Sequence, residues 1–329
     1  MTTLSAQEVW QAYSRIHSTI ISTPCLYSPS LSQVSGVPVY LKLEQFQPSG
    51  SFKLRGAANH ISSLSEKEQK KGVTTFSTGN HGLAVAYAAQ ALEIEAVVCV
   101  SAHVPEAKIE ALKKSGATLH IEGESQDEAA VHSLKLQEKD GLTLIPPFDH
   151  PAIIAGQGTI GLEILSDLPS VKHVVAGLSG GGLLGGISLF MKANAPEVDM
   201  VGLSVEKGAA MDESLRVGKV VEVPEHPTYA DSLLGGIGMN NLYTFPLIQN
   251  FVDQRFRVPE ETIAHGMVHL FEHHKLVVEG AAAIGVGALL DGFLSLRGPT
   301  VIVVTGAGID PYLHQSVVSA YYQDDSAKK

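Results

Sequence analysis

The sequence is poor in the features that mark several other classes of protein. Only two of its 329 residues are cysteines, Cys25 and Cys99, which excludes a disulfide framework and fits a reducing compartment. Charged residues make up 17% of the chain and its formal net charge is −11, so we expect neither nucleic acid nor an anionic membrane surface as a partner. The N-terminus lacks the basic and apolar segments of a signal peptide, and no uncharged apolar run reaches the about 18 residues that span a membrane. The composition therefore predicts a cytoplasmic protein.

Apolar sequence is abundant, and it alternates between two patterns. The chain is 44% hydrophobic, and its length suggests about two domains. Short β-rich apolar runs at residues 73–77, 96–100, 173–176 and 300–304 alternate with amphipathic segments. Repeated βα units of this kind predict an α/β fold of mostly parallel sheets with helices on both faces. We expect the tail, residues 323–329, to be disordered.

A glycine-rich segment, HVVAGLSGGGLLGGI at residues 173–187, fits more than one functional motif. Gly180, Gly182 and Gly185 match the G-x-G-x-x-G pattern of dinucleotide-binding folds, and Glu206 follows about 20 residues later as that pattern requires. The same backbone N–H groups, at the start of a helix, could instead bind a single phosphate.

The segment also fits a third motif, that of serine hydrolases. Gly177, Ser179 and Gly181 form G-x-S-x-G, and Asp310 and His314 lie downstream as candidate partners of the serine. A tight turn without a ligand is disfavoured, because three consecutive glycines cost folding entropy and pack against nothing. The segment alone does not discriminate among the three functions.

Lys53 lies in the segment PSGSFKLRGA, residues 48–57, and has unusual neighbours for a lysine. It stands between Phe52 and Leu54 and follows Gly50 and Ser51. An amine in an apolar pocket has a lowered pKa and is uncharged near neutral pH. Pyridoxal phosphate (PLP) needs such an amine for its aldehyde and N–H donors for its phosphate. Most lysines at the edge of a core extend their side chains along it towards solvent, but that arrangement does not explain the preceding Gly50 and Ser51. The combination therefore indicates a PLP site.

A second turn, in FSTGNHGLAVAYAA at residues 76–89, joins a strand to a helix. Backbone N–H groups around Thr78, Gly79, Asn80 and His81 would point at an anion above the helix start, and the α-carboxylate of a substrate is the natural ligand. The Asn80 amide could reach the cofactor. We expect His81 to cap or pack, and not to act as a general base.

Five segments occur in an order that is similar to one known family. They are GSFKLRGA, STGNHG, PFDHPAIIAGQGT, SGGGLLGG and VTGAGID. Together they resemble the serine/threonine dehydratase and serine racemase group of fold-type II PLP enzymes, over residues 23–310. SQDEAA at 125–130 and ADSLLGGIG at 230–238 are similar to the dehydratases of hydroxyectoine utilisation.

The resemblance implies a more detailed architecture. Two open, mostly parallel twisted sheets flanked by helices are expected, as in the tryptophan synthase β-like fold. Residues 1–69 and 149–329 would form a large PLP-binding domain, and residues 70–148 a small mobile domain that closes over the substrate. A homodimer is expected.

The resemblance also implies roles for individual residues. Lys53 would form the Schiff base with PLP and remove the α-proton, with Thr78 as a second catalytic residue. The residues that would bind the cofactor are Phe52, Lys53, Asn80, Ser179, Gly180, Gly181, Gly182, Leu183 and Thr305. Those that would bind the substrate are Ser77, Thr78, Gly79, Asn80 and His81. Asn80 would contact the 3′-oxygen of the cofactor and Thr305 its pyridine nitrogen.

Two patterns suggest metal sites. In VEKGAAMD the resemblance implies that Glu206, the carbonyl of Ala210 and Asp212 hold Mg²⁺ or Ca²⁺; the alternative is a solvated, acidic helix start. Outside the family pattern, histidines at 265, 269 and 273 recur every four residues and could bind zinc or nickel. For the histidines, a solvated helical face is the favoured explanation.

The resulting hypothesis is a PLP-dependent dehydratase. Its substrate would be a small β-hydroxy amino acid such as threonine, serine or 3-hydroxyaspartate, converted to a 2-oxo acid and ammonia. The similarity to the hydroxyectoine dehydratases suggests a role in hydroxyectoine breakdown. A racemase of the serine racemase type is the alternative, although Thr78 replaces the serine of the racemases. The family's SGGN also becomes Thr305-Gly306-Ala307-Gly308, without the asparagine. An NAD oxidoreductase and a serine hydrolase remain open through the glycine motifs.

Overall fold

The structure is a computed structural model that describes residues 4–104, 106–124 and 126–327. Within them the strands are β1 (Cys25–Tyr27), β2 (Val39–Leu43), β3 (Val73–Thr75), β4 (Ala96–Val100), β5 (Thr118–Ile121), β6 (Thr143–Leu144), β7 (His173–Gly177), β8 (Asp199–Val205), β9 (Gln254–Val258) and β10 (Thr300–Val304).

Helices separate most of these strands. They are α1 (Ala6–Ile16), α2 (Pro29–Ser35), α3 (Lys53–Ser62), α4 (Glu66–Lys71), α5 (Asn80–Ala91), α6 (Glu106–Lys114), α7 (Gln126–Asp140), α8 (Pro151–Asp167), α9 (Gly182–Asn194), α10 (Ala210–Val217), α11 (Thr244–Phe251), α12 (Glu260–His274), α13 (Gly280–Leu290) and α14 (Pro311–Ala327). The backbone of α14 is helical to Ala327, and the expectation of disorder from residue 323 stays a prediction.

The larger sheet has six strands in the order β1-β2-β10-β7-β8-β9. Only the edge pair β1 and β2 is antiparallel, and the other pairs are parallel. Strands β7 and β10 lie in the middle, where every residue of both is buried. Their sequences, HVVAG and TVIVV, are nearly continuous apolar runs, as expected for strands covered by helices on both faces.

The smaller sheet has four parallel strands in the order β5-β4-β3-β6. The predicted α/β fold with two mostly parallel sheets flanked by helices is therefore confirmed. The four strands lie between residues 73 and 144, inside the segment 70–148 that the sequence assigns to a small domain. The boundaries of that domain and its mobility stay predictions, and Ser125 of the SQDEAA segment lies outside the described residues.

The ends of the central strands position the segment that carries Lys53. Ser51 forms an isolated bridge with Gly306, which lies just beyond β10, and the N–H of Phe52 donates to the carbonyl of Thr305 at 3.0 Å. Helix α3 begins at Lys53 itself. The start of α3 is therefore fixed against the carboxyl end of β10, which is the edge where parallel sheets bind their ligands.

Buried charges hold α3 from the other side. Arg55, which is 0% exposed, donates to both oxygens of Glu44 at 2.8 Å and to the two oxygens of Glu163 at 2.7 and 2.8 Å. Glu163 also pairs with Nζ of Lys42 at 2.7 Å. These four side chains have no net charge together. Their hydrogen bonds connect α3, α8 and β2 through the core.

We expect Glu163→Ala to lower the free energy of unfolding by about 3–5 kcal/mol, because it leaves Arg55 and Lys42 as buried charges without their shared carboxylate. Urea unfolding would measure the change. Asp167→Ala is the matched control: Asp167 lies one turn later on α8, is 3.4 Å from Lys42 and is 42% exposed. Its loss should cost about 1 kcal/mol or less. Equal losses in the two variants would contradict the assigned role of the buried charges.

Candidate active site

A cavity of about 280 Å³ opens at the carboxyl ends of β7 and β10. Its lining includes every residue predicted to bind the cofactor, namely Phe52, Lys53, Asn80, Ser179, Gly180, Gly181, Gly182, Leu183 and Thr305, and also His81 from the predicted substrate site. Ser77, Thr78 and Gly79 lie on the adjoining turn between β3 and α5 but are not among the residues that line the cavity. The cavity therefore collects residues from separate segments of the sequence in one place.

The amine of Lys53 lies in the cavity wall without a salt bridge among the described residues. Its Nζ donates to the carbonyl oxygen of Pro147 at 2.9 Å and lies 5.3 Å from the centre of the Phe52 ring. Burial lowers the pKa of Lys53 to about 8, and the carboxylate of Glu279 offsets part of that shift. An appreciable share of uncharged amine near neutral pH follows, as a carbonyl-binding lysine requires.

Three consecutive residues at the junction of the glycine loop and α9, Gly180 to Gly182, present backbone without side chains. A Cβ atom on Gly180 would overlap the ring of Phe148, and one on Gly182 would lie 3.0 Å from Cα of Phe148. Gly181 has a φ of 84°, in the left-handed region that favours glycine, and no side chain caps the helix that follows. The N–H groups at the start of α9 are therefore available to a phosphate, and the loop fits that group of PLP.

The turn before α5 has a similarly open helix start. No side chain caps the helix, which begins at Asn80 after Gly79. The N–H groups of this first turn are thus available to an anion such as a carboxylate, as the sequence predicts. The Asn80 amide points into the cavity, where it donates to both oxygens of Glu279, at 3.0 and 2.8 Å.

His81 is a buried, uncharged packing residue. Its Nε2 lies 2.9 Å from the carbonyl oxygen of Ile145, which can only accept a hydrogen bond, so Nε2 carries the proton. Burial, together with the positive charge of Lys53, lowers the pKa of His81 to about 3. The side chain is therefore neutral at physiological pH, in accord with the packing role expected for it.

Thr305 follows β10 and is 4% exposed in the cavity wall. Its position at the end of a central strand, beside Lys53 and opposite the glycine loop, is compatible with a hydrogen bond to the ring of a bound PLP. A hydroxyl offers a neutral partner to a ring nitrogen, in contrast to the charged partner that a carboxylate would be.

Sequence reasoning missed three parts of the cavity wall. Glu279 is buried directly before α13, the ring of Phe148 lies beneath the glycine loop, and the segment 232–236 closes another side. A signal for Glu279 existed, because it is the one acid in the apolar run from residue 276 to residue 290. Segment 232–236 belongs to ADSLLGGIG, which the sequence singled out for a different reason.

The serine hydrolase motif of the glycine loop does not assemble with its candidate partners. Ser179 has its hydroxyl 3.5 Å from the carbonyl of Leu234, whereas His314 packs against Phe271. Asp310 accepts hydrogen bonds from backbone N–H groups at the start of α14. The hydroxyl of Ser179 therefore faces a backbone carbonyl and not the candidate histidine that a hydrolase would need.

The expected cation site at Glu206, Ala210 and Asp212 finds no support. The carboxylate of Asp212 accepts from Nε of Arg255 at 3.1 Å and from Nε of Arg257 at 2.7 Å, so both oxygens already bind a cation. Among the described residues, no group of three or more His, Cys, Asp or Glu side chains is arranged to hold a metal ion. The prediction of a cation site from VEKGAAMD was wrong, because that segment does not reveal the arginines of β9 that pair with Asp212.

The row of histidines on α12 also forms no metal site in the described part of the chain. His265 bonds to Asp291 at 2.9 Å, and His269 bonds to the hydroxyl of Ser30 at 2.9 Å. The ring of His273 lies beside that of His269, with centroids 4.3 Å apart.

We expect Lys53 in the cofactor-free folded protein to react with an amine-acylating reagent at half its maximal rate near pH 8. The protonated amine does not react, so a lowered pKa moves the reaction to lower pH. In the urea-unfolded protein the same midpoint should lie near the ordinary lysine value of ~10.4. Mass spectrometry of the Lys53 peptide across a pH series would measure both. Coincident midpoints would show that the fold does not lower this pKa.

No helix in the described part of the chain has the length and apolar character to cross a membrane.

Comparisons with known proteins agree with this geometry. A Sinorhizobium fredii protein provisionally named a threonine dehydratase is 45% identical over 97% of this chain and 96% of its own length. L-threonine ammonia-lyase of Thermotoga maritima is 40% identical over 96% of this chain and 78% of its own. The structure of maize serine racemase matches with a TM-score of 0.90 at 30% identity, over 99% of both chains. The sequence model described as "Pyridoxal-phosphate dependent enzyme" matches residues 16–306, and the chain belongs to that family.

Proposed function

We propose that this enzyme removes water from a small, neutral β-hydroxy amino acid and yields a 2-oxo acid and ammonia. The observation that carries the proposal is one cavity that contains both Lys53, whose amine has a lowered pKa, and the backbone of Gly180, Gly181 and Gly182. Two relatives that are named for threonine dehydration or deamination, at 45% and 40% identity, support a lyase. PLP, when bound, supplies the electron sink that makes the Cα–H bond acidic.

Different residues of the cavity have different roles in the proposed reaction. The N–H groups of the glycine loop, at Gly181 and Gly182, hold the phosphate, and those at the start of α5 hold the substrate carboxylate. The amine of Lys53 binds the cofactor and, once displaced by the substrate, takes the proton from Cα. The electrons of that bond would expel the β-hydroxyl, which would take up one proton, balancing the one removed from Cα, and leave as water; a second water would then hydrolyse the resulting enamine to the 2-oxo acid and ammonia. Thr305 offers the ring only a neutral hydrogen bond, and the role of Thr78 stays a prediction.

The lining of the cavity favours a substrate with an uncharged side chain. Apolar side chains, among them Phe76, Phe148 and Leu233, form much of the wall. The described residues that line it include no arginine, and the one histidine, His81, is neutral. A second carboxylate, as in 3-hydroxyaspartate, would lose its water without gaining a fixed cation. Threonine and serine therefore suit the cavity better than 3-hydroxyaspartate.

A racemase of the serine racemase type is the second candidate, and one observation favours it. The maize serine racemase structure matches over the whole chain. A racemase must protonate the opposite face of Cα, and the residue expected there is Thr78, which does not line the cavity. We therefore rank elimination above racemisation. A role in hydroxyectoine breakdown, a homodimer and a mobile small domain stay predictions from the sequence.

Lys53→Ala should abolish the visible absorbance of lysine-bound PLP and lower the rate of ammonia release from L-threonine by about 10³-fold or more, since the amine both binds the cofactor and moves the proton. Lys67→Ala, on helix α4, removes an exposed lysine and should change neither quantity. Borohydride reduction followed by peptide mass spectrometry would locate the labelled lysine. Label at another lysine with normal turnover would overturn the assignment.

We expect L-threonine and L-serine to be deaminated much faster than they are inverted, because the neutral Thr305 hydroxyl leaves the ring a weak electron sink. Negative charge on Cα is then short-lived, and loss of the β-hydroxyl is favoured over reprotonation. Thr305→Asp should slow elimination and raise side reactions such as transamination. Chiral chromatography alongside an ammonia assay, with 3-hydroxyaspartate as a third substrate, measures the ratio. Faster inversion than deamination of any of the three would replace the dehydratase with a racemase.

A further inference from the structure

Glu279 is a buried carboxylate in the cavity wall that the proposed reaction does not use. It is 2% exposed, and its oxygens lie 3.0 and 2.8 Å from Nδ2 of Asn80. Its other hydrogen-bond donors are the N–H of Gly308 and the hydroxyl of Ser232, which are uncharged. Burial raises the pKa of Glu279, as expected for a carboxylate that leaves water without a salt bridge. Such a group is costly, so its presence calls for an explanation.

The contact between Asn80 and Glu279 joins three segments that are distant in the sequence. Asn80 begins α5, which packs beside the smaller sheet; Glu279 precedes α13; and Gly306 and Gly308 follow β10 of the larger sheet. A Cβ atom on Gly308 would overlap Oδ1 of Asn80, and one on Gly306 would lie 3.0 Å from Oε1 of Glu279. The two glycines therefore leave the space in which the amide and the carboxylate meet.

The chemistry of the two groups determines which way the amide of Asn80 faces. An ionised carboxylate only accepts hydrogen bonds, so the NH₂ group of Asn80, and not its carbonyl oxygen, faces Glu279. One hydrogen of the NH₂ group satisfies the carboxylate, and the other can serve an acceptor in the cavity. In the reversed orientation two acceptors would face each other and repel. Glu279 thus selects an Asn80 that donates to oxygen acceptors.

We propose that Glu279 is a positioning residue that orients the Asn80 amide as a donor and holds the turn at residues 77–81 against the end of β10. It thereby sets the start of α5, with its free N–H groups, relative to the amine of Lys53. The benefit to PLP and substrate binding rests on the proposed function. The hydrogen bond between Asn80 and Glu279 does not depend on it.

The first test uses the cofactor-free protein. Asn80→Ala and Glu279→Ala should each lower the melting temperature by about 3–6 °C, the range expected for a hydrogen bond to a charged group in a chain of this size. Because both remove the same bond, the double variant should lose clearly less than the sum of the single losses. Additive losses would overturn the proposed contact. This test is readable whether or not the protein binds PLP.

The second test measures PLP affinity by absorbance titration and KM for L-threonine by ammonia release. Glu279→Ala should weaken PLP binding and raise KM, each about tenfold, with a smaller change in kcat. Glu279→Gln keeps an acceptor oxygen and should recover most of the loss. Gly308→Ala keeps Glu279 but displaces the Asn80 amide, and it should reproduce the effect. Glu260→Gln, which removes a carboxylate bonded to the N–H of Tyr229, is the control for loss of charge and should resemble the wild type.

A purely structural role would give a different result. If Glu279 only stabilised the fold, Glu279→Ala would lower the melting temperature while PLP affinity and KM stayed at wild-type values, and the proposal would fail. A wild-type protein that binds no PLP would instead refute the proposed function. The coupling between Asn80 and Glu279 would then be judged from the melting temperatures of the single and double variants without cofactor. The two failures are therefore distinguishable.

Discussion

The guanidinium of Arg55 lies in the core between the carboxylates of Glu44 and Glu163, and through them helix α3 is joined to β2 and α8. Two residues earlier on the same helix, Lys53 points into the cavity and bonds to a carbonyl oxygen. One helix thus carries two cations in opposite environments. The arginine is permanently charged and fully paired, whereas the lysine lacks a salt bridge and its pKa is lowered to about 8. The charge of Arg55 therefore anchors helix α3 in the core, and the amine of Lys53 is available to react.

The glycine loop shows why a local pattern could not identify the ligand. All three motifs require the same backbone, a turn that leads into a helix without side chains in the way. What separates them is the arrangement of residues from other segments: Ser179 bonds to the carbonyl of Leu234 whereas His314 packs against Phe271, and Phe148 fills the space that a side chain at Gly180 would take. PLP was indicated by a second segment. Lys53 supplies an amine, which a PLP site needs and which the dinucleotide and hydrolase motifs do not.

The sequence predicted the sheets and the linear parts of the site because each depends on local pattern. Runs such as TVIVV define a central strand wherever they occur, and Lys53, Asn80 and Thr305 each lie in a short motif. It could not predict contacts between distant segments. The Glu206–Ala210–Asp212 spacing suited a cation, but Arg255 and Arg257, which extend from the same face of β9, already pair with Asp212. Glu279 was missed for the same reason: its partner, Asn80, is far away in the chain.

The departure at residues 305–308 has a physical explanation in the structure. The resembled family has SGGN here, and the last residue of the corresponding segment in this chain is Gly308. The space next to Gly308 is occupied by the amide of Asn80, which is bonded to Glu279. A side chain at 308 would overlap that amide, so it would require the Asn80 side chain to move. The polar group at this side of the cavity is therefore the amide of Asn80, which belongs to the segment that carries the smaller sheet. We infer that its orientation is set by the carboxylate of Glu279, which precedes α13 beside the larger sheet.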